Sequence, residues 1–176
     1  MSGIIHFVRR AYELLVTAAN LLQSPLLLVL RLFFFWQLFE TGKGKLLNIG
    51  KIIDYFTSLG IPAPAANAYF VSSLECFGGL LLVVGLATRP LALMVAISMC
   101  VAYGTTELDA VTTIFSNSDK FVKADPFPYL LTALIVLAFG PGLVSVDALL
   151  KHVLGQKPLP RPERSGGLSS QRIDRK

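Results

Sequence analysis

Long apolar stretches alternate with short polar ones along most of the chain, and their length suits membrane-spanning helices. Four such stretches stand out, at about residues 24–39, 68–86, 91–105 and 127–139. The turn at residues 88–90 is so short that it predicts antiparallel neighbours on its two sides. The pattern therefore predicts an all-α fold, a polytopic membrane four-helix bundle.

The first residues of the chain follow a different pattern, with apolar and polar positions on opposite faces of a helix. Arg9, Arg10 and Glu13 interrupt the apolar run, and no small-residue cleavage site follows it, so we do not expect a cleaved signal peptide. We expect residues 1–23 to form an amphipathic helix that lies in the membrane interface.

The remaining segments are polar and predict connections. Residues 40–66 mix lysines with apolar positions, which predicts a short interfacial amphipathic helix that ends at Gly60 and the Pro62–Pro64 pair. Residues 106–126 are rich in charged side chains and predict a polar loop.

The end of the chain predicts a tail. Pro, Ser, Gly and basic residues dominate it, a composition typical of flexible, disordered segments. The chain therefore divides into an interfacial helix at residues 1–23, a four-helix transmembrane domain at 24–150 and a disordered basic tail at 151–176.

The composition supports a membrane protein and excludes other classes. Of 176 residues, 53% are hydrophobic and only 15% charged, whereas a soluble domain carries about 25% charged residues. The net charge is +5, but the basic residues form no stripe interleaved with aromatics, so we expect no nucleic-acid partner. With four crossings, most Lys and Arg lie on the side that holds both termini, which predicts cytoplasmic termini.

Arg31 is the most informative single residue because it lies inside the first apolar stretch. A charge at the centre of a membrane helix costs about 2.5–3.5 kcal/mol on insertion scales, so such side chains face the bundle and pair. Glu75, Glu40 and Asp147 are the candidate partners, and we favour Glu75, an acid inside another stretch. The pair either fixes helix register or organises a headgroup, quinone or anion site, and snorkelling of Arg31 is the third alternative.

Residues 40–45, ETGKGK, resemble a phosphate-binding loop only superficially, because the glycine spacing is wrong and no strand precedes them. We expect the glycines to let the backbone leave the helix, and Lys43 and Lys45 to meet phosphate headgroups. Glu40, Lys43, Lys45 and Asp147 are secondary candidates for the polar site.

Two glycine motifs bear on the bundle. Gly78 and Gly79 lie one helical turn from Glu75 and predict either a tight helix crossing or room for a ligand ring.

A second motif ends the last apolar stretch. Gly140, Pro141 and Gly142 predict a helix break, since proline removes a donor and glycine tolerates unusual dihedral angles. Ser145 then caps a new helix, with Asp147 in its first turn.

No set of side chains in the sequence predicts a metal site or a tightly bound cofactor. Cys76 and Cys100 lie in different apolar stretches, where they are either small buried hydrophobes or a redox pair. His6 and His152 belong to no ligand cluster, and we find no arrangement for nucleophilic catalysis.

The order of these motifs resembles the DoxX family of small four-helix membrane proteins, over about residues 24–148. The resemblance rests on four pieces in order: RLF at residues 31–33 with the glycine–lysine segment, LGIP at 59–62, ECFGG at 75–79 with GLATR at 85–89, and GPGLVSVD at 140–147. It implies a bacterial-type inner-membrane protein linked to quinone or thiol redox systems, often as an accessory subunit.

Three functional hypotheses follow. The first is an accessory subunit of a membrane oxidoreductase complex, not catalytic alone, that shapes a quinone or small-anion pocket around Arg31 and Glu75. The second is a non-enzymatic structural or stress-response membrane protein whose buried charge pair only stabilises the bundle. The third, a small oligomeric transporter or channel, is disfavoured because the apolar stretches lack a polar stripe.

Overall fold

A computed structural model of the chain describes residues 2–154, without the side chains of residues 2–5 and 151. This part of the chain is helical and contains no strand. Its elements are α1 (Ser2–Leu30), the π-helical turn π1 (Arg31–Phe35), α2 (Trp36–Leu47), α3 (Ile49–Ser58), α4 (Pro64–Ser73), the π-helical turn π2 (Leu74–Gly78), α5 (Gly79–Val84), α6 (Thr88–Thr106), α7 (Leu108–Thr112), α8 (Ser118–Lys123), α9 (Pro126–Phe139) and α10 (Val146–Val153).

The first helix is much longer than the sequence predicts. α1, π1 and α2 follow one another without a gap, so the helix runs through the expected boundary after residue 23 and through the expected end at residue 39. Pro25 lies inside α1 without ending it. Apolar helices tolerate proline when neighbouring groups satisfy the freed carbonyl.

The N-terminal part of this helix extends away from the bundle. Every side chain from residue 6 to 23 is exposed, including apolar ones such as Phe7 and Leu21. Residues 2–23 belong to the longer helix α1, and their predicted position in the interface stays a prediction.

Among residues 2–154, three helical segments are long and apolar enough to cross a membrane: His6–Leu47, Pro64–Val84 and Thr88–Thr106. The fourth predicted stretch forms α9, which is apolar but has only 14 residues. At about 1.5 Å per residue such a helix covers about 21 Å of a hydrocarbon core about 30 Å thick. The predicted count of four crossings therefore stays a prediction.

The connections are more ordered than expected. α3 ends before Gly60, as predicted, but the predicted loop at 106–126 contains α7 and α8. Tyr103 explains part of this order, because its hydroxyl donates to the Phe121 carbonyl at 2.7 Å and its ring stacks on Phe121 at 4.5 Å. The sequence did not reveal this long-range contact.

The core lies where the spanning helices meet. α6 and α9 form the most extensive pairing, and π1, α2, π2 and α5 pack beside it. The central buried side chains are Phe35, Leu38, Leu82, Val95 and Val136.

The end of the described chain corrects one boundary. α10 continues to Val153, so the predicted tail does not begin at residue 151. The rest of that predicted tail, residues 155–176, lies outside the described residues.

Candidate functional site

One face of the first long helix carries the polar residues that enter the bundle. Arg31, Phe35, Leu38, Gly42 and Lys45 recur at steps of three and four, which places them on one stripe. The first four are buried and Lys45 is partly buried. The stripe thus leads from a buried cation at one end to a second cation at the other.

Arg31 donates to four backbone carbonyls. Its Nε contacts the Leu82 oxygen at 3.0 Å, and its Nη2 contacts the Val83 oxygen at 2.8 Å. Its Nη1 donates to the Val144 oxygen at 3.2 Å and to the Pro141 oxygen. The guanidinium therefore supplies donors to carbonyls at the C-terminus of α5, where helical donors run out, and joins them to the segment before α10. The Leu82 oxygen also accepts from the Gly85 N–H at 3.2 Å.

The turn after α5 is shaped around this guanidinium. Gly85 has a φ of +76°, and a Cβ there would lie 2.5 Å from Arg31 Nη2 and 2.7 Å from the Ser145 Cβ. Only glycine provides both this backbone conformation and this space.

Asp147 holds the other side of the same turn. Its two carboxylate oxygens accept from the backbone N–H of Ala87 and of Thr88, each at 2.9 Å, and its own N–H donates to the Gly85 carbonyl at 2.9 Å. The carboxylate thus caps the N-terminus of α6 from a distant helix. It also lies close enough for its charge to act on Arg31.

The predicted helix break is confirmed. α9 ends at Phe139, and Gly140 and Gly142 take φ values of +80° and +79°. Ser145 caps α10 by accepting from the Ala148 N–H at 3.1 Å. Asp147 lies in the first turn of α10, as predicted.

The favoured pairing of Arg31 with Glu75 is wrong. Among the described residues, no ion pair joins them, and Glu75 instead accepts from Lys45. The carbonyls that bind Arg31 belong to Leu82 and Val83, seven and eight residues after Glu75, which corresponds to about 10–12 Å along a helix. Arg31 and Glu75 therefore belong to two separate polar sites.

The second site is the pair of Lys45 and Glu75. Lys45 Nζ lies 2.7 Å from Glu75 Oε1, and the lysine side chain is 31% exposed whereas that of Glu75 is 4% exposed. Glu75 lies in π2, in the middle of a spanning segment, and π-helical turns are frequent at functional sites. Lys45 thus links a buried carboxylate to the protein surface.

Within the part of the chain that the structure describes, two buried oxygens at this site have no hydrogen-bond partner. They are Glu75 Oε2 and Ser72 Oγ, three residues apart on the same helix. A buried polar atom without a partner costs about 1–3 kcal/mol, so their position calls for an explanation.

Close helix packing brings Lys45 to Glu75. A Cβ at Gly42 would lie 2.6 Å from the Glu75 carbonyl carbon and would also meet the Cys76 nitrogen. A Cβ at Gly79 would lie 2.9 Å from the Phe39 nitrogen. Gly42 therefore sits inside a helix crossing, not at a helix end as predicted, and Gly79 forms the crossing expected of it.

The other candidates lie apart from both sites. Glu40 and Lys43 form an exposed pair at 3.8 Å on the outer face of α2. Cys76 and Cys100 are both free, so no disulfide joins them. The described residues contain no group of three His, Cys, Asp or Glu side chains that could hold a metal ion.

The sequence holds a signal for the Lys45–Glu75 pair, which is the position of Lys45 on the same helical stripe as Arg31. The stripe from Arg31 to Lys45 is continuous, but ending the first span at residue 39 removed Lys45 from it. The carbonyl partners of Arg31 had no such signal, because backbone carbonyls carry no residue identity.

Together these long apolar helices, joined by short turns and packed through buried polar residues, define a multi-pass helical membrane protein in contact with the lipid bilayer. Residues 26–108 match the sequence profile of the DoxX family. The chain belongs to the DoxX family, as its motifs predicted.

Two other proteins are similar to the chain over much of its length. An uncharacterized protein of Haemophilus influenzae is 32% identical over 135 residues, which cover 74% of this chain and 87% of that protein. A Bacillus subtilis protein named "Putative oxidoreductase CatD" is 32% identical over 106 residues, which cover 52% of this chain and 78% of that protein. No solved structure matches the chain significantly.

Proposed function

We propose that this protein is an accessory subunit of a quinone-linked or thiol-redox oxidoreductase complex in a bacterial inner membrane. The observation that carries the proposal is the buried Lys45–Glu75 pair, which leaves Glu75 Oε2 without a partner in the middle of a spanning segment. The relative named as an oxidoreductase supports the link to redox chemistry.

The Lys45–Glu75 pair is suited to the proton transfers that accompany quinone reduction. Reduction of a quinone to a quinol takes up two electrons and two protons. In this proposal the partner enzyme supplies the electrons, Lys45 takes up protons from water at the protein surface and passes them to the Glu75 carboxylate, and Glu75 delivers them to the reduced quinone oxygens. The partly exposed Lys45 side chain supports this order, because it connects the buried carboxylate to the surface.

The remaining parts of the proposal concern the cofactor, the partner and the membrane topology of the chain. The chain holds no tightly bound cofactor of its own, binds quinone transiently, and contacts a membrane redox protein or a further copy of itself. It crosses the membrane four times with both termini in the cytoplasm.

Affinity purification from native membranes in mild detergent tests this function. We expect a redox enzyme to be recovered with the protein in stoichiometric amount. Glu75→Gln should keep this assembly but lower its quinone-linked turnover about tenfold or more, as loss of a positioned proton-transfer group does. Glu40→Gln removes an exposed carboxylate and is the matched control, so its turnover should equal that of the wild type. Recovery of the protein alone would contradict the proposal.

A second candidate is a non-enzymatic structural or stress-response protein. The Arg31 site favours it, because this buried charge is used to hold three segments of backbone together. In that case the Lys45–Glu75 pair would serve folding alone, and every variant of it that restores stability would restore all functions.

A further inference from the structure

A groove of about 710 Å³ lies at the end of the bundle where α5 turns into α6. Its walls come from α1, from the start of α6, from the helix break after α9 and from the start of α10. The spanning segments Pro64–Val84 and Thr88–Thr106 end and begin at this turn. The groove is therefore at the depth where a membrane ends and its phosphate headgroups begin.

Arg89 gives this groove a free positive charge. Within the part of the chain that the structure describes, its side chain is exposed and forms no hydrogen bond or ion pair. A Cβ at Gly140 would lie 3.8 Å from Arg89 Nη2, so the guanidinium lies beside the open face of this glycine. Arg89 thus points along the wall of the groove.

One other charged side chain lines the groove, and it has partners of its own. Asp147 is the acid in its lining, but both of its oxygens accept backbone N–H groups, and the buried Arg31 lies within range of its charge. Asn20 and Gln23 of α1 also line the groove. The buried Thr88 hydroxyl, also in the lining, has no partner. These groups are suited to an oxyanion.

Apolar side chains flank the polar part of the groove. Phe139 and Leu143 are 62% and 82% exposed and both belong to its lining. A ligand that fits this combination has an anionic head and hydrocarbon tails.

We propose that this groove binds the headgroup of an anionic phospholipid, with the phosphate on Arg89 and the acyl chains against the exposed apolar side chains beside it. This site is independent of the redox role proposed above, because it uses neither Lys45 nor Glu75. It assigns a lipid class and a residue to a surface that the redox proposal leaves without a role.

Native mass spectrometry of the detergent-solubilised protein with added lipid tests the proposal. We expect the wild type to retain phosphatidylglycerol in preference to phosphatidylethanolamine. Arg89→Gln should weaken phosphatidylglycerol binding about fivefold, the effect of one basic side chain at a membrane surface. Arg89→Lys should bind nearly as well as the wild type, because it keeps the charge.

Lys51→Gln is the matched control, since it removes one exposed positive charge outside the groove. It should leave lipid binding unchanged, and thermal unfolding should show that all variants are folded. Equal phosphatidylglycerol binding by Arg89→Gln and the wild type would overturn the proposal. So would an equal loss in Lys51→Gln, or binding of inorganic phosphate with no preference for phosphatidylglycerol.

Discussion

Arg31 is a charged residue in a membrane helix. The N–H groups of its guanidinium donate to backbone carbonyls and not to an acidic side chain. Four backbone carbonyls from the end of α5 and the segment before α10 accept its N–H groups. The planar guanidinium, with its five donors in a fixed geometry, is suited to contacts that diverge in this way. The residue therefore acts as a connector between three parts of the chain.

Replacement of Arg31 should be strongly destabilising. Arg31→Ala leaves the Val83 carbonyl without its donor and the Leu82 carbonyl with only the Gly85 N–H at 3.2 Å, and should lower the free energy of unfolding by about 3 kcal/mol. Arg31→Lys should recover little of this, since one ammonium cannot reach carbonyls on both segments. Thermal unfolding in detergent measures both effects.

Arg9→Ala is the control for this prediction. Arg9 is in an exposed pair with Glu13 at 2.9 Å, and such pairs contribute about 0–1 kcal/mol. An Arg31→Ala variant as stable as Arg9→Ala would show that the carbonyl contacts contribute nothing to the free energy of unfolding.

At the scale of elements, the crossing of α2 with π2 depends on one glycine. Gly42 is at the contact with Glu75 and Cys76, whereas a Cβ at Gly44, two residues further, would meet nothing within 4 Å. The two glycines of one helix thus form a natural comparison.

Gly42→Ala should separate the helices and Gly44→Ala should not. The added methyl group at residue 42 overpacks the crossing and should cost about 1–3 kcal/mol. At residue 44 the same change should stabilise the helix by about 0.5–1 kcal/mol, because alanine loses less backbone entropy. Opposite shifts in the unfolding temperature of the two variants would confirm the crossing. Equal shifts would contradict it.

The elements show what an apolar pattern can predict. The helices α4–α5, α6 and α9 follow their apolar stretches because the stretches end at turn residues such as Gly85 and Gly140. The first helix does not, because no comparable stop follows residue 23 or residue 39, so the helix continues into polar sequence. A polar segment ends the apolar stretch, but the backbone hydrogen bonds of the helix can continue through it.

At the scale of the molecule, the number of membrane crossings depends on α9. Its 14 residues are short for a span, but the excess of Lys and Arg near the ends of the chain favours cytoplasmic termini and so an even number of crossings. Fusions to alkaline phosphatase and to a fluorescent protein distinguish the two arrangements.

We expect opposite locations for two fusion sites. A fusion after Lys123, at the end of α8, should show phosphatase activity and no fluorescence. A fusion at the C-terminus should fluoresce and show no phosphatase activity, because α9 then returns the chain to the cytoplasm. Phosphatase activity at both sites would mean three crossings.

The two polar sites were predictable to different degrees. Arg31, Glu75 and Asp147 could be selected because charge in an apolar region is costly and must have a partner. The backbone partners of Arg31 and Asp147 could not, because they depend on how closely segments approach at Gly85, whereas the stripe from Arg31 to Lys45 held a signal for the partner of Glu75. Residue type identifies a candidate, but three-dimensional packing decides its contacts.

The most direct test of the central claim is a charge exchange within the Lys45–Glu75 pair. The double variant Lys45→Glu/Glu75→Lys restores opposite charges, so it should recover stability that each single variant loses. The exchange also places the ammonium at the buried position and the carboxylate at the partly exposed one. We predict near wild-type unfolding temperature and assembly with quinone-linked turnover still about tenfold or more below wild type. Full recovery of turnover together with stability would contradict the account and assign the pair to folding alone.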